Sequence, residues 1–169
     1  MQIIKYFILF IILISSSVIG KNIAKKYSNR VKELEEISNA LNLFKSKIIF
    51  TYSTIPEVFE EISSKIKGNV GCIFKRANVK MQEMSAGVAW EQAVDEVQSN
   101  LNNDDKYTIK TLSKLLGQTD AQGQIGQIEI TKKFIEEQIK EAIEQKQKNE
   151  RLYSKLGTTI GLAIVIILA

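Results

Sequence analysis

The chain contains 169 residues, the size of one ordinary domain. Its 23 lysines and arginines against 19 aspartates and glutamates give a net charge of +4, too small to indicate a nucleic-acid partner. The absence of histidine excludes Ser-His-Asp triads and histidine-ligated metals, and the single cysteine, Cys72, excludes an internal disulfide. We therefore expect no cofactor and no metal. With one proline and 9 glycines, the chain is expected to form long helices.

An uncharged apolar run, residues 6–20, lies near the start of the chain. With the preceding residues it reaches the roughly 20 residues that a transmembrane helix needs, provided that Lys5 extends toward the lipid headgroups. We therefore predict an N-terminal transmembrane helix over residues 1–20. A cleavable signal peptide, with the small residues 15–17 near the cleavage site, is the alternative.

Apolar residues spaced by three and four predict a series of helices in the middle of the chain. The first helix continues beyond the apolar run. Thr54 and Pro56 begin a second helix that ends at Gly68. A third and a fourth helix follow, and a fifth, with Asp104 as its N-cap, stops at Gly117. The apolar positions of these five helices are Leu34, Ile37, Leu41, Phe44 and Ile48; Val58, Phe59, Ile62 and Ile66; Ile73, Phe74, Ala77 and Met81; Val88, Trp90, Ala93, Val94 and Val97; and Tyr107, Ile109, Leu112, Leu115 and Leu116.

The last helix is predicted to be the longest, with Thr119 or Asp120 as its N-cap. After an apolar stripe it becomes polar on nearly every face and leads into an uncharged run, residues 156–169. As a helix this run is only ~21 Å long, so it either spans a thinned bilayer or forms a half-buried anchor. Gly157 and Gly161 have the spacing of a helix-packing face, or are simply the small residues common in membrane helices. The stripe consists of Ile125, Ile128, Ile135, Ile139 and Ala142.

The predicted fold class is therefore all-α. A cytoplasmic bundle of about six helices, residues 21–155, is flanked by an N-terminal transmembrane helix, residues 1–20, and a C-terminal membrane segment, residues 156–169. No alternation typical of strands appears, so no sheet is expected. Positive charge adjoins both apolar runs on the side of the bundle, which predicts a cytoplasmic bundle with both termini on the far side of the membrane. The basic residues are Lys21, Lys25, Lys26, Arg30, Lys146, Lys148, Arg151 and Lys155.

The turn before the last helix is the one candidate site that a purely structural interpretation explains poorly. It combines a helix stop, a cap and two glycines, Gly123 and Gly126, each of which costs up to about 1 kcal/mol against alanine inside a helix. Close approach of another backbone would explain them, either a neighbouring helix of this chain or a partner protein. The candidate partner-binding residues are Gly117, Gln118, Thr119, Asp120, Gly123 and Gln124.

The other residues that could take part in catalysis or binding are better explained by structural roles. The many glutamates fit solvated helix faces with lysine partners, and no phosphate-binding glycine loop is present. Glu33 is expected to lie off the apolar stripe of the first helix, whereas Cys72 and Trp90 are expected in the core.

Four stretches carry a resemblance to a known family. They are residues 55–62, residues 87–93, residues 116–124 and residues 152–161 with the apolar tail that follows. Together they resemble the stage III sporulation protein AB family of endospore-forming bacteria. The matching sequences are IPEVFEEI, Gly87 to Trp90 with Ala93, LGQTD running into Gly123-Gln124, and LYSKLG followed by Gly161. The resemblance covers essentially the whole chain.

The resemblance implies a relative of the F-type inner-membrane platform proteins of type II secretion and type IV pilus systems. It implies a non-enzymatic part of a channel between mother cell and forespore, in the mother-cell membrane that faces the forespore. The implied partners are a hexameric secretion ATPase, stage III sporulation protein AA, other membrane proteins of the channel, and the bilayer. A membrane-bound tether that never contacts the ATPase is the alternative, and a carboxylate-based hydrolase ranks far below both.

Overall fold

The computed structural model describes residues 2–51, 53–114, 116–117 and 120–168. Over these residues the chain forms six α-helices and one short 3-10 helix, with no strand, and the predicted all-α class is confirmed. The helices are α1 Gln2–Thr51, α2 Ile55–Lys65, α3 Gly68–Lys80, α4 Ala86–Glu96, α5 Asn103–Lys110, the 3-10 helix Thr111–Lys114 and α6 Ala121–Leu168.

Local capping sets the helix starts. At α2 the Glu57 carboxylate accepts a hydrogen bond from the Thr54 backbone N–H at 2.9 Å, as expected of a capping residue three positions on. The predicted cap of α5, Asp104, is wrong. Asn102 takes this role, because its Oδ1 accepts from the Asp105 N–H at 2.8 Å while Asp105 Oδ2 accepts from the Asn102 N–H at 2.9 Å. Gly68 does not end α2 but begins α3, with a φ of 83°.

The chain divides into two compact units, one of residues 1–31 and 141–169 and the other of residues 32–140. The boundaries at residues 20 and 156, which were drawn from hydropathy, stay predictions.

Aromatic side chains form the centre of the unit of residues 32–140. Phe59 lies edge-on to Phe44, Phe74 and Trp90, with ring centroids 5.5, 5.0 and 5.5 Å away. All four rings are buried, so Trp90 is a core residue as predicted. Its indole N–H donates to the carbonyl of Ile109 at 2.7 Å, which satisfies the one polar atom that the ring brings into the core.

Gly87 allows α4 to approach the 3-10 helix. A Cβ at this position would lie 2.3 Å from the carbonyl oxygen of Ser113, far inside van der Waals contact. Only glycine fits here, because the two backbones are so close. This accounts for the glycine at the start of residues 87–93, one of the four stretches that carry the family resemblance.

Three residues predicted to be apolar core positions are exposed, namely Cys72, Val88 and Tyr107. In α3 the buried residues are Val70, Gly71, Ile73, Phe74 and Ala77, and position 72 lies on the opposite side of the helix. Val88 and Tyr107 are displaced in the same way from the buried faces of α4 and α5. Sequence adjacency to core residues misled these three predictions, because neighbouring positions on a helix differ by about 100°.

In the unit of residues 1–31 and 141–169, the first part of α1 packs closely on the last part of α6. A Cβ on Gly20 would lie 2.8 Å from the Cα of Gly157. The Ser16 hydroxyl donates to the Gly157 carbonyl at 2.6 Å, and the rings of Tyr27 and Tyr153 stack with centroids 5.9 Å apart. Gly157 is therefore a helix-packing residue, and its partner is Gly20.

Within the part of the chain that the structure describes, no helix has a stretch both long and apolar enough to cross a membrane. The transmembrane helices predicted at the two ends are accordingly not supported by the structure.

Candidate partner-binding site

The candidate site is the turn that joins the 3-10 helix to α6. Leu116 is buried at its start, and the exposed Gly117 follows with a φ of 74°. Side chains other than glycine rarely adopt this left-handed conformation, so the glycine is needed to reverse the chain. The two following candidates, Gln118 and Thr119, lie outside the described residues.

Asp120 is the N-cap of α6, which was one of the two predicted alternatives, Thr119 or Asp120. Its Oδ1 accepts a hydrogen bond from the Gly123 N–H at 2.9 Å, and its carbonyl accepts from the Gln124 N–H at 3.1 Å. An aspartate suits this position because its charge also interacts favourably with the helix dipole. Three candidate residues, Asp120, Gly123 and Gln124, are thus held together in the first turn of α6.

The turn lies beside the starts of two other helices. A Cβ at Gly117 would be 3.8 Å from Ile55 Cδ1 and 3.9 Å from Ala86 Cβ, the first residues of α2 and α4. Gly117 therefore lies beside the starts of α2 and α4. Exposed residues held next to rigid helices are a common location for protein contact sites.

The start of α6 is anchored to the rest of the unit by small contacts. Gln124 and Gln127 line a shallow hollow together with Leu112 and Ile128. The Gln127 amide also donates to the Thr111 hydroxyl at 3.3 Å, which links α6 to the 3-10 helix.

At Gly126 the structure tests one of the two explanations for the glycines. A Cβ at Gly126 would meet no atom within 4 Å. The expectation that a neighbouring helix of this chain approaches Gly126 is therefore wrong. Close approach by a partner protein stays a prediction.

Surface carboxylates of this unit are paired with basic side chains, most of them distant in sequence rather than at the i,i+4 spacing that was expected. A hydrogen bond from Lys45 holds the pKa of Glu129 below its ordinary value, and Lys47 and then Lys65 do the same for Glu61. Hydrogen bonds from Lys80 and Arg76 lower the pKa of Glu96. Over the described residues, no group of three acidic or cysteine side chains is arranged to hold a metal ion.

Besides Asp105 in the α5 cap, two buried charged residues were missed by the sequence analysis. Glu33, expected off the apolar stripe, is buried and accepts hydrogen bonds from the side chains of Asn69 and Asn100 and from the Asn100 N–H. Arg30 is buried as well and donates to Gln145 Oε1 at 2.8 Å. Their partners are distant in sequence, so the only available indication was their position beside the buried residues Val31 and Leu34.

An exposed apolar surface was also missed. Ile130 and Phe134, one turn apart on α6, are 53% and 55% exposed, and Phe50 near the end of α1 is 77% exposed. Phenylalanine rings are large and costly to expose, so such positions are candidates for contact with another protein.

The fold defines a small all-helical protein. The profile of the family described as Stage III sporulation protein AB matches residues 5–169, and the chain belongs to this family.

Individual relatives agree with this assignment. The Stage III sporulation protein AB of Bacillus subtilis (strain 168) is 22% identical over 161 residues, which cover 93% of this chain and 94% of that protein. A solved structure of a Stage III sporulation protein AB matches with a TM-score of 0.63 at 20% identity, over 72% of this chain and 98% of that one. At that identity the structural likeness shows the fold.

Proposed function

We propose that this protein is a non-enzymatic platform of the sporulation apparatus, seated at the mother-cell membrane that faces the forespore. Its helical middle part docks a hexameric secretion-type ATPase in the cytoplasm and passes the motion of that ATPase to membrane proteins of the channel. Membership of the sporulation family supports a role in sporulation. The observations that carry the docking role are the exposed Gly117 in its left-handed conformation and the exposed Asp120, which caps α6.

Two features of the turn favour a docking role. The Asp120 cap orders the first turn of α6, so the residues of that turn would lose little conformational entropy on binding. One turn further on, Gly126 has open space where a side chain would stand, which leaves room for a partner's backbone to approach.

Membrane association is supported by the two ends of the chain. Large apolar side chains are exposed along the start of α1 and the end of α6, where contact with lipid would cover them. No acidic residue occurs between Lys21 and Arg30, so positive charge adjoins this apolar surface. The exposed apolar residues include Phe7, Phe10, Ile14, Ile160, Ile166 and Ile167.

The relay is supported by the two long helices. α1 and α6 contain 50 and 48 residues, and each contributes residues to both units of the chain. A continuous helix transmits displacement along its axis better than a loop, because its backbone hydrogen bonds resist bending.

A second candidate function is a tether that holds channel proteins without touching the ATPase. The observation that favours it is the exposed apolar pair Ile130 and Phe134. A free apolar face of this kind suits a stable protein contact, and it lies on α6 rather than on the candidate turn.

Co-purification of the full-length chain in detergent with the ATPase, with and without nucleotide, tests the proposal. We expect a stable complex that Asp120→Ala weakens and that the matched control Asp104→Ala, at an exposed aspartate in the first turn of α5, leaves intact. Absence of a complex at high micromolar concentration would contradict docking. In that case Phe134→Ser should reduce capture of channel membrane proteins if the tether is correct.

A further inference from the structure

The unit of residues 1–31 and 141–169 contains an open groove between the first part of α1 and the last part of α6. Its volume is about 570 Å³. The walls are mainly apolar, and the Ser16 hydroxyl in the lining is already bonded to the Gly157 carbonyl. The principal wall residues are Ile11, Ile19, Ile23, Leu156, Ile160 and Ile164.

The dimensions of the groove match one lipid chain. From Ile11 to Ile23 the α1 wall extends ~18 Å along the helix. One leaflet contributes about half of the roughly 30 Å hydrocarbon core of a bilayer. An acyl chain lying in this groove would therefore be covered over most of its length.

Positive charge begins where the groove ends. Lys21, Lys25 and Lys26 are exposed on α1 around Ile23, and Arg151 and Lys155 are exposed on α6 around Tyr153. On α1 the first acidic residue is Glu33, and on α6 none follows Glu150. This basic collar, defined as these five residues, would meet the phosphate of a lipid whose chain fills the groove.

A second copy of this chain fits the groove less well. Close helix pairing in lipid depends on small residues at the contact, and here Gly20 and Gly157 are already buried against each other. Their packing leaves branched isoleucines on the open side. A second copy would also bring its own basic collar against the first, with repulsion between like charges.

We infer that the groove and the basic collar bind one anionic phospholipid, with an acyl chain between α1 and α6 and the headgroup phosphate at the lysines. This inference rests on the proposed membrane association. It adds a lipid site to the platform, so that the packing of the two terminal helices would depend on the anionic lipid content of the membrane.

The test uses the full chain and two kinds of vesicle, one of phosphatidylcholine alone and one containing phosphatidylglycerol. Flotation measures membrane association, and native mass spectrometry of the detergent-extracted chain measures retained lipid. We expect phosphatidylglycerol to be retained as a single bound molecule, at least roughly tenfold in preference to phosphatidylcholine. Failure to float with either vesicle would contradict the membrane platform itself. Flotation with both but equal retention of the two lipids would overturn only the lipid site.

Matched variants locate the site. Lys21→Gln, Lys25→Gln and Lys26→Gln together should abolish the preference, whereas Lys67→Gln, Lys75→Gln and Lys114→Gln, with the same loss of charge at exposed positions of the other unit, should not. Ser15 also lines the groove on α1, so Ser15→Phe should fill the groove and remove the bound lipid while the collar is intact. Ile160→Ser, on the opposite, α6 wall of the groove, replaces this test if circular dichroism shows that Ser15→Phe disturbs the helices. Retention unchanged in the collar or the groove variants would overturn the inference.

Discussion

The carboxylate of Glu33 on α1 holds both the backbone and the side chain of Asn100, with each nitrogen 2.7 Å from a carboxylate oxygen. The same group accepts from the Asn69 amide at 2.8 Å. One buried side chain therefore ties α1 to the start of α3 and to the loop after α4. Such a carboxylate stabilises the unit mainly because its removal would leave several donors without their acceptor.

Glu33→Ala is expected to lower the free energy of unfolding by about 1–3 kcal/mol, because the amide N–H groups of Asn69 and Asn100 lose their acceptor. Denaturant unfolding of the full chain in detergent measures the change. Glu35→Ala, at an exposed position of the same helix, is the control and should change stability by less than about 0.5 kcal/mol. Equal effects of the two substitutions would show that the Glu33 contacts contribute nothing specific.

Two glycine substitutions should act in opposite directions. Gly87→Ala should destabilise the protein, because the new Cβ would lie 2.3 Å from the Ser113 carbonyl and force the backbones apart. Gly126→Ala should stabilise it by about 0.5–1 kcal/mol, because alanine favours the helix and meets no neighbour within 4 Å. Thermal unfolding of the two variants beside the unaltered chain measures both. Stabilisation by Gly87→Ala would contradict the close approach of α4 to the 3-10 helix.

Much of the fold could be predicted from the sequence, because helix stripes and caps are local. The core role of Trp90 and the Asp120 cap follow from neighbours within one or two turns. The role of Glu33 could not be predicted, since its partner Asn100 is 67 residues away and only the folded chain brings them together. Cys72 was misplaced for a related reason: the direction of a helix face depends on what packs against it.

Cys72 should react readily with an aromatic disulfide reagent in the native protein, because its side chain is exposed on α3. The expected result is complete labelling of one thiol at a rate similar to that in denaturant. Native labelling slower by roughly two orders of magnitude would place the thiol in the core, since a buried thiol reacts only when the structure opens.

Stability should fall as the solution is acidified below about pH 4.5. Lys80 and Arg76 hold the pKa of Glu96 below its ordinary value of 4.5, as Lys45 does for Glu129. A lowered folded-state pKa contributes stability that is present above the unfolded pKa and is lost as the pH falls through the folded pKa. Urea midpoints at several pH values should therefore decrease in this window, and less so for Glu96→Gln. Glu83→Gln, at an exposed position, serves as the control. Stability that rises on acidification would contradict these ion pairs.

Site-specific photo-cross-linking would detect directly the proposed docking of the sporulation ATPase at the start of α6. A photoreactive amino acid replaces Gln124 in one full-length variant and the exposed Glu83 in another, each irradiated with the ATPase in detergent. We expect an ATPase adduct from position 124 and none from position 83. Adducts of equal yield from both positions, or from position 83 alone, would contradict docking at the turn.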